Sequence, residues 1–240
     1  MQQPSWDKEV ESAVSEFEKS ALASRQHVDT LHLFDKERFR MQTREKLSCL
    51  YEDIHQGYEV AVQTVIEMKG EQSGEFVKTL FPDQNLLNQF SEDPEQTRHI
   101  NEEKPLYESL GICPNALSLM YEAACFLLDK DEDEKARQLF ALLVVLAPHI
   151  SDFWAGSGVA LIRLKRFEEA IEMLEPATSL DRRSVQNILL LCRALVELGR
   201  RSEAEARISE RLDQAARESD RELYEHLEVA RFELSKFARR

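Results

Sequence analysis

The residue types able to do chemistry are present in this chain, but they do not gather. Six histidines occur, His27, His32, His55, His99, His149 and His226. None forms an HExxH pair or stands at zinc-ligand spacing from a cysteine. His27 and His32 fall on different faces of a helix, where each reads as a solvent-facing side chain. Gly156 and Gly158 lie inside a helix-like apolar run and read as packing residues, not as a phosphate loop, and no GxSxG elbow is present. The acidic run Asp129, Asp131, Glu132, Asp133, Glu134 lacks the central glycine and closing glutamate of a calcium loop. It stands at a helix start, where carboxylates favour the helix dipole, and reads as a solvated turn. The sequence thus predicts a protein that is not an enzyme and holds no metal ion and no cofactor.

The cysteines Cys49, Cys113, Cys125 and Cys192 are scattered without a CxxC pair. Cys125 and Cys192 sit among apolar helical residues, where a free thiol acts as a small core side chain. That usage fits a reducing cytosol. The amino terminus lacks the basic start and apolar run of a signal peptide. The longest apolar stretch, residues 139–147, is far too short to span a bilayer. A cytoplasmic location without membrane insertion is the expectation. The net charge of −14 argues against nucleic acid, whose phosphates demand a cationic surface, and against anionic lipid.

The elements that must position any site come from an internal repeat. Residues 116–150, 151–184 and 185–218 superpose without a gap. Leu127, Leu161 and Leu195 coincide, as do Ala136, Ala170 and Ala204, and the compact residues Ala124, Gly158 and Cys192. Trp154 opens the middle repeat where Met120 and Ile188 open its neighbours, and Pro148 closes the first. The third repeat diverges, with Arg211 at a position expected to be small and no closing proline. Alanine or glycine at a crossing lets two helix backbones approach, while a large apolar residue fills the space beside it. With 42% apolar residues and only 7 Gly and 7 Pro, the composition is that of a helical protein with a core.

The pattern resembles the tetratricopeptide repeat. It predicts an all-α fold of three tandem helical hairpins with helices at about 117–130 and 133–147, 151–164 and 167–180, 185–198 and 202–216. Leu223, Leu227, Ala230 and Leu234 mark a capping helix over 219–237 that covers the last hairpin. Ahead of these, Trp6, Val10, Ala13, Phe17 and Ala21 form one helical stripe, and Leu47, Leu50, Ile54, Tyr58, Ala61, Val65 and Met68 form another. Either the stripes pack on each other, or they form a self-association surface that would make a homodimer. The expected division is an N-terminal helical region over 1–90, a polar linker over 91–105 and the repeat domain over 106–240.

In tetratricopeptide arrays the first helix of each hairpin lines a concave groove. Helical spacing places Tyr121, Cys125 and Leu128, then Ala155, Val159 and Ile162, then Leu189, Arg193 and Val196 on that lining. An apolar lining with one arginine suits an extended peptide with hydrophobic anchors, driven by water release. Cys125, Val159 and Val196 could equally belong in part to the core.

Residues 110–181 resemble the class II chaperones of bacterial type III secretion. The likeness rests on the lead-in Gly111, Ile112, Pro114, on Tyr121, on Ala136 and Phe140, and on the Trp-Ala-Gly-Ser-Gly stretch at 154–158. It extends over about 105–216. The resemblance implies a cytoplasmic chaperone that holds a secreted client, translocator-like or another exported protein, with Tyr121, Cys125, Val159 and Ile162 contacting the client's segment. A scaffold that recruits a peptide during assembly of a larger complex is the competing reading. An enzyme regulated by a repeat domain ranks last, because residues 1–100 offer no catalytic constellation.

Overall fold

The computed structural model describes residues 54–80 and 105–237, and among these every regular element is helical. The chain divides into two compact units, Met1–His55 and Gln56–Arg240. The first N-terminal stripe and nearly all of the 91–105 stretch lie outside the described residues.

Within the second unit, α1 (residues 54–69) runs into a single 3-10 turn, Gly70–Gln72, and then α2 (Ser73–Leu80). A short α3 (Leu106–Ser109) precedes the three hairpins. These are α4 (Pro114–Asp129) with α5 (Asp133–Leu146), α6 (Ser151–Arg163) with α7 (Phe167–Leu180), and α8 (Val185–Glu197) with α9 (Arg201–Arg217). The terminal helix α10 spans Arg221–Phe237. From α4 onward each helix packs on the next in sequence, while α2 touches α4 and α3 touches α5; the first helices α4, α6 and α8 also touch one another in order, with α10 continuing the row beside α8. The expectation of an all-α, three-hairpin fold with a terminal capping helix is met.

The lead-in shows how local chemistry sets the entry. Gly111 takes φ +69°, which ends α3, and Ile112 is buried. Pro114 then occupies the first turn of α4, where the missing N–H costs nothing. In the third hairpin Ser184 caps α8 by accepting a hydrogen bond from the Asn187 N–H at 3.2 Å.

The small residues do what the repeat demands. Ala136, Ala170 and Ala204 are wholly buried, and Leu127, Leu161 and Leu195 fill the space beside them. A methyl group at Gly158 would lie 2.5 Å from Cγ of Leu174, and one at Gly156 would overlap the Phe140 ring. The same device joins α1 to the first hairpin. A methyl at Gly57 would meet Cβ of Leu142 at 2.7 Å and the Gln138 carbonyl at 2.8 Å. Gln138 also donates to Gln56 at 2.6 Å, and Lys130 pairs with Glu67. From Gln56 onward α1 is therefore built into the repeat unit.

Each hairpin turns through one residue in the left-handed region, at a constant repeat position. Asp131 has φ 59°, Lys165 φ 60° and Gly199 φ 75°. Each turn carries the same pair of bonds. Glu132, Arg166 and Arg200 donate to the carbonyls of Leu127, Leu161 and Leu195 at 2.9, 2.9 and 2.8 Å. Asp131, Lys165 and Gly199 donate to Leu128, Ile162 and Val196 at 3.1, 3.0 and 2.9 Å. This pairing is the Schellman closure, which glycine adopts without strain and other residues do not. Aspartate tolerates the conformation better than lysine does. Replacing Lys165 with glycine should raise stability by about 0.5–1 kcal/mol after the added freedom of the unfolded chain is counted, and Gly199→Ala should lower it by about 1 kcal/mol. Urea unfolding measures both, and a Lys165→Gly midpoint at or below the wild-type value would refute the strain argument.

Candidate functional site

The row of first helices presents a stripe of partly exposed apolar side chains. Tyr121, Cys125 and Leu128 of α4, Ala155 and Val159 of α6, and Leu189 of α8 are all half-buried. They occupy equivalent positions on helices that touch in sequence. Arg193 is exposed at the far end.

Tyr121 anchors the first hairpin's share of this face. Its ring lies edge-on to Phe140 at 6.0 Å between centroids and tilted against Phe153 at 5.7 Å. Phe140 comes from the partner helix α5 and Phe153 from the next hairpin, so one tyrosine ties two repeats together. Burial pushes the Tyr121 phenol up to about 12, helped by the hydrogen bond to Cys125 and by the Asp152 carboxylate. Burial also pushes the Cys125 thiol up, against the effect of the Tyr121 hydrogen bond, with Asp129, Asp152 and Glu122 adding to the rise. The apolar stripe therefore has an acidic edge at its α4–α6 end, and Cys125 stays a neutral thiol.

One residue expected on the lining, Ile162, is buried in the packing, and Val196 is half-buried beside it. Ile162 is only 7% exposed and sits in the core with Leu161, Ile171 and Leu174. Val196 packs against the same core and lines a recess of about 320 Å³ with Ile208, Arg231 and Leu234, between α8, α9 and α10. The other third-hairpin residues face a different recess, also about 320 Å³, in which Leu189, Leu190 and Arg193 of α8 meet Glu233 and Leu234 of α10. The terminal helix thus supplies a wall to the end of the stripe that the repeat pattern by itself does not include. Phe153 also went unassigned from the sequence. Its neighbour Trp154 carries the repeat signature, and turns its indole N–H to the Pro148 carbonyl at 2.8 Å.

The carboxylates at the first turn face an arginine of the next hairpin. Asp131 and Asp133 each lie 3.4 Å from the Arg163 guanidinium, which also donates to the Leu128 carbonyl at 2.6 Å. Arg163 thereby joins the end of α6 to the turn of the first hairpin. Among the described residues no group of three or more histidines, cysteines or carboxylates is placed to hold a metal ion. No described helix is long and apolar enough to cross a membrane.

Raised phenol values have a definite consequence for alkaline stability. Tyr121 and Tyr58 are both pushed to about 12 from an ordinary value of 10, each chiefly by burial. A group with a raised folded-state value contributes stability that is complete below its unfolded value and disappears as pH rises through the folded one. Stability should therefore fall between pH 10 and 12. The fall should be shallower in Tyr121→Phe, which has no proton to lose there. Equilibrium unfolding at stepped pH checks this, and identical slopes for the two proteins would contradict it.

Residues 161–224 match the tetratricopeptide repeat family profile. No match was found among curated proteins. Among solved structures, a chain from a T3SS complex of Aeromonas hydrophila is similar with a TM-score of 0.51 and 20% identity, over 60% of this chain and 94% of that one. The Yersinia enterocolitica type III secretion translocator chaperone SycD is similar with a TM-score of 0.46 and 20% identity, over 52% of this chain and 95% of that one. The register of the three hairpins, their shared turn geometry and the profile match agree that the array beginning at Pro114 is of the tetratricopeptide-repeat fold.

Proposed function

We propose that this chain is a cytoplasmic type III secretion chaperone that holds an extended, hydrophobic segment of an exported client across its first helices. The observation that carries the proposal is the row of half-exposed side chains Tyr121, Cys125, Leu128, Ala155, Val159 and Leu189 on neighbouring first helices. Covering such a stripe releases water at about 25 cal/mol for each Å² of apolar surface removed, which favours a ligand with spaced apolar anchors. The acidic edge near Tyr121 and Cys125 favours basic residues beside the anchors at that end. The fold shared with a chain of a T3SS complex is consistent with this role. A net charge of −14 on the chaperone keeps the complex soluble and discourages contact with other acidic chains.

The test is co-purification of the tagged protein from its native cell, with mass spectrometry of what it retains. A single hydrophobic exported protein is the expected catch, whereas several cytosolic assembly components would point to a scaffold instead. Tyr121→Asp with Val159→Asp places two carboxylates on the stripe. The pair should reduce recovery of the client at least about tenfold, since desolvating an unpaired carboxylate costs several kcal/mol. Helical circular dichroism should be retained. Undiminished recovery with that double variant would rule out the first-helix face as the binding surface.

A further inference from the structure

The outer face of α10 carries exposed apolar side chains. In α10 the buried stripe is Leu227, Ala230 and Leu234, with Leu223 partly buried beside it. Two residues further along from each stands Glu225, Val229, Phe232 and Lys236, about 200° around the helix and so on the opposite side. Val229 is 59% exposed and Phe232 61% exposed, and they adjoin each other on this outer face. Val229 stands at the repeat position of Leu127, Leu161 and Leu195, all of which are buried against a partner helix.

The charges around this pair are self-complementary. Val229 and Phe232 lie symmetrically about the midpoint between Ala230 and Arg231, and so do Glu225 and Lys236. We infer that this face docks a second copy of the chain, the two α10 helices crossing antiparallel about a twofold axis at that midpoint. Val229 of each copy then packs on Phe232 of the other, and Glu225 of each meets Lys236 of the other, as an isologous contact requires. Lys236 lies over the Phe232 ring at 4.1 Å, so its ammonium is already held beside the apolar pair. Glu225 pairs with Arg221 at 2.8 Å on a fully solvated edge, a contact weak enough to be shared or exchanged. Glu228 would approach Glu233 of the second copy, but Arg231 neutralises it at 2.7 Å. A contact of one helix pair is small, so association should be concentration-dependent.

The experiment is light scattering on the full chain at a series of concentrations. The wild type should reach twice the mass of Phe232→Glu at the upper end, whatever assembly the remainder of the chain supports. Glu225→Lys alone and Lys236→Glu alone should each return the mass to that of Phe232→Glu, because each sets like charges together twice in the dimer. The double variant carrying both changes should recover the wild-type mass. All four positions are exposed, and thermal unfolding should confirm equal stability. Equal masses for wild type and Phe232→Glu overturn the proposal and leave the face to a different partner. Failure of the double charge exchange to restore the mass overturns the antiparallel arrangement.

Discussion

Helix backbones in the array must approach closely at their crossings, through small residues, and much of the rest follows from that. Within the second hairpin Gly158 lies against Leu174, and between the first and second Gly156 lies against Phe140, while Ala136, Ala170 and Ala204 are buried completely. With the close approach set, the large residues Leu127, Leu161 and Leu195 have one place to go, beside the crossing. Much of the far side of each first helix is then left half-exposed. Because neighbouring first helices touch in order, these half-exposed stretches stand side by side. The candidate site is thus a geometric consequence of how the hairpins close, and its apolar character is a choice of side chains made upon it.

The period and the helix limits were legible because they are written in residue size. Leucine, alanine and glycine recur at fixed positions, and the helices begin and end within a few residues of where the pattern places them. The turns were only partly legible. Gly199 announces a left-handed residue, whereas Asp131 and Lys165 adopt the same conformation without any sign of it in their side chains. Periodicity also identifies a face without saying what covers it. Ile162 shares its face with Val159, yet the core encloses it, and Val196 is half-buried where α8, α9 and α10 meet. The stacking of Phe153 on Tyr121 joins residues of different hairpins, so no spacing within one repeat could reveal it. Arg211 illustrates the converse. It departs from the repeat in sequence, standing where Leu143 and Ala177 are buried, and the structure accounts for it through a 2.7 Å hydrogen bond to the Thr178 carbonyl and a 3.0 Å bond to Gln214.

The two ends of the array solve the problem of an open repeat surface differently. At the amino-terminal end α1 meets α5 at Gly57 as closely as the hairpin helices meet each other, and Val60, Ala61 and Val65 are buried. Lys69 and Lys130 extend that contact to Glu122 and Glu67 across α4. At the other end α10 packs through Leu227, Ala230 and Leu234, a stripe displaced by one residue, about 100°, from the repeat register. The displacement turns the register position of Leu195 outward, where Val229 now stands beside Phe232. It also brings Glu233 and Leu234 against Leu189 and Arg193 of α8. A single rotation therefore shapes two surfaces at once, the wall at the end of the first-helix stripe and the apolar pair on the outside. Any partner that shifts α10 on its bed must alter both, which gives the outer face a physical route to the candidate first-helix face through one packed helix.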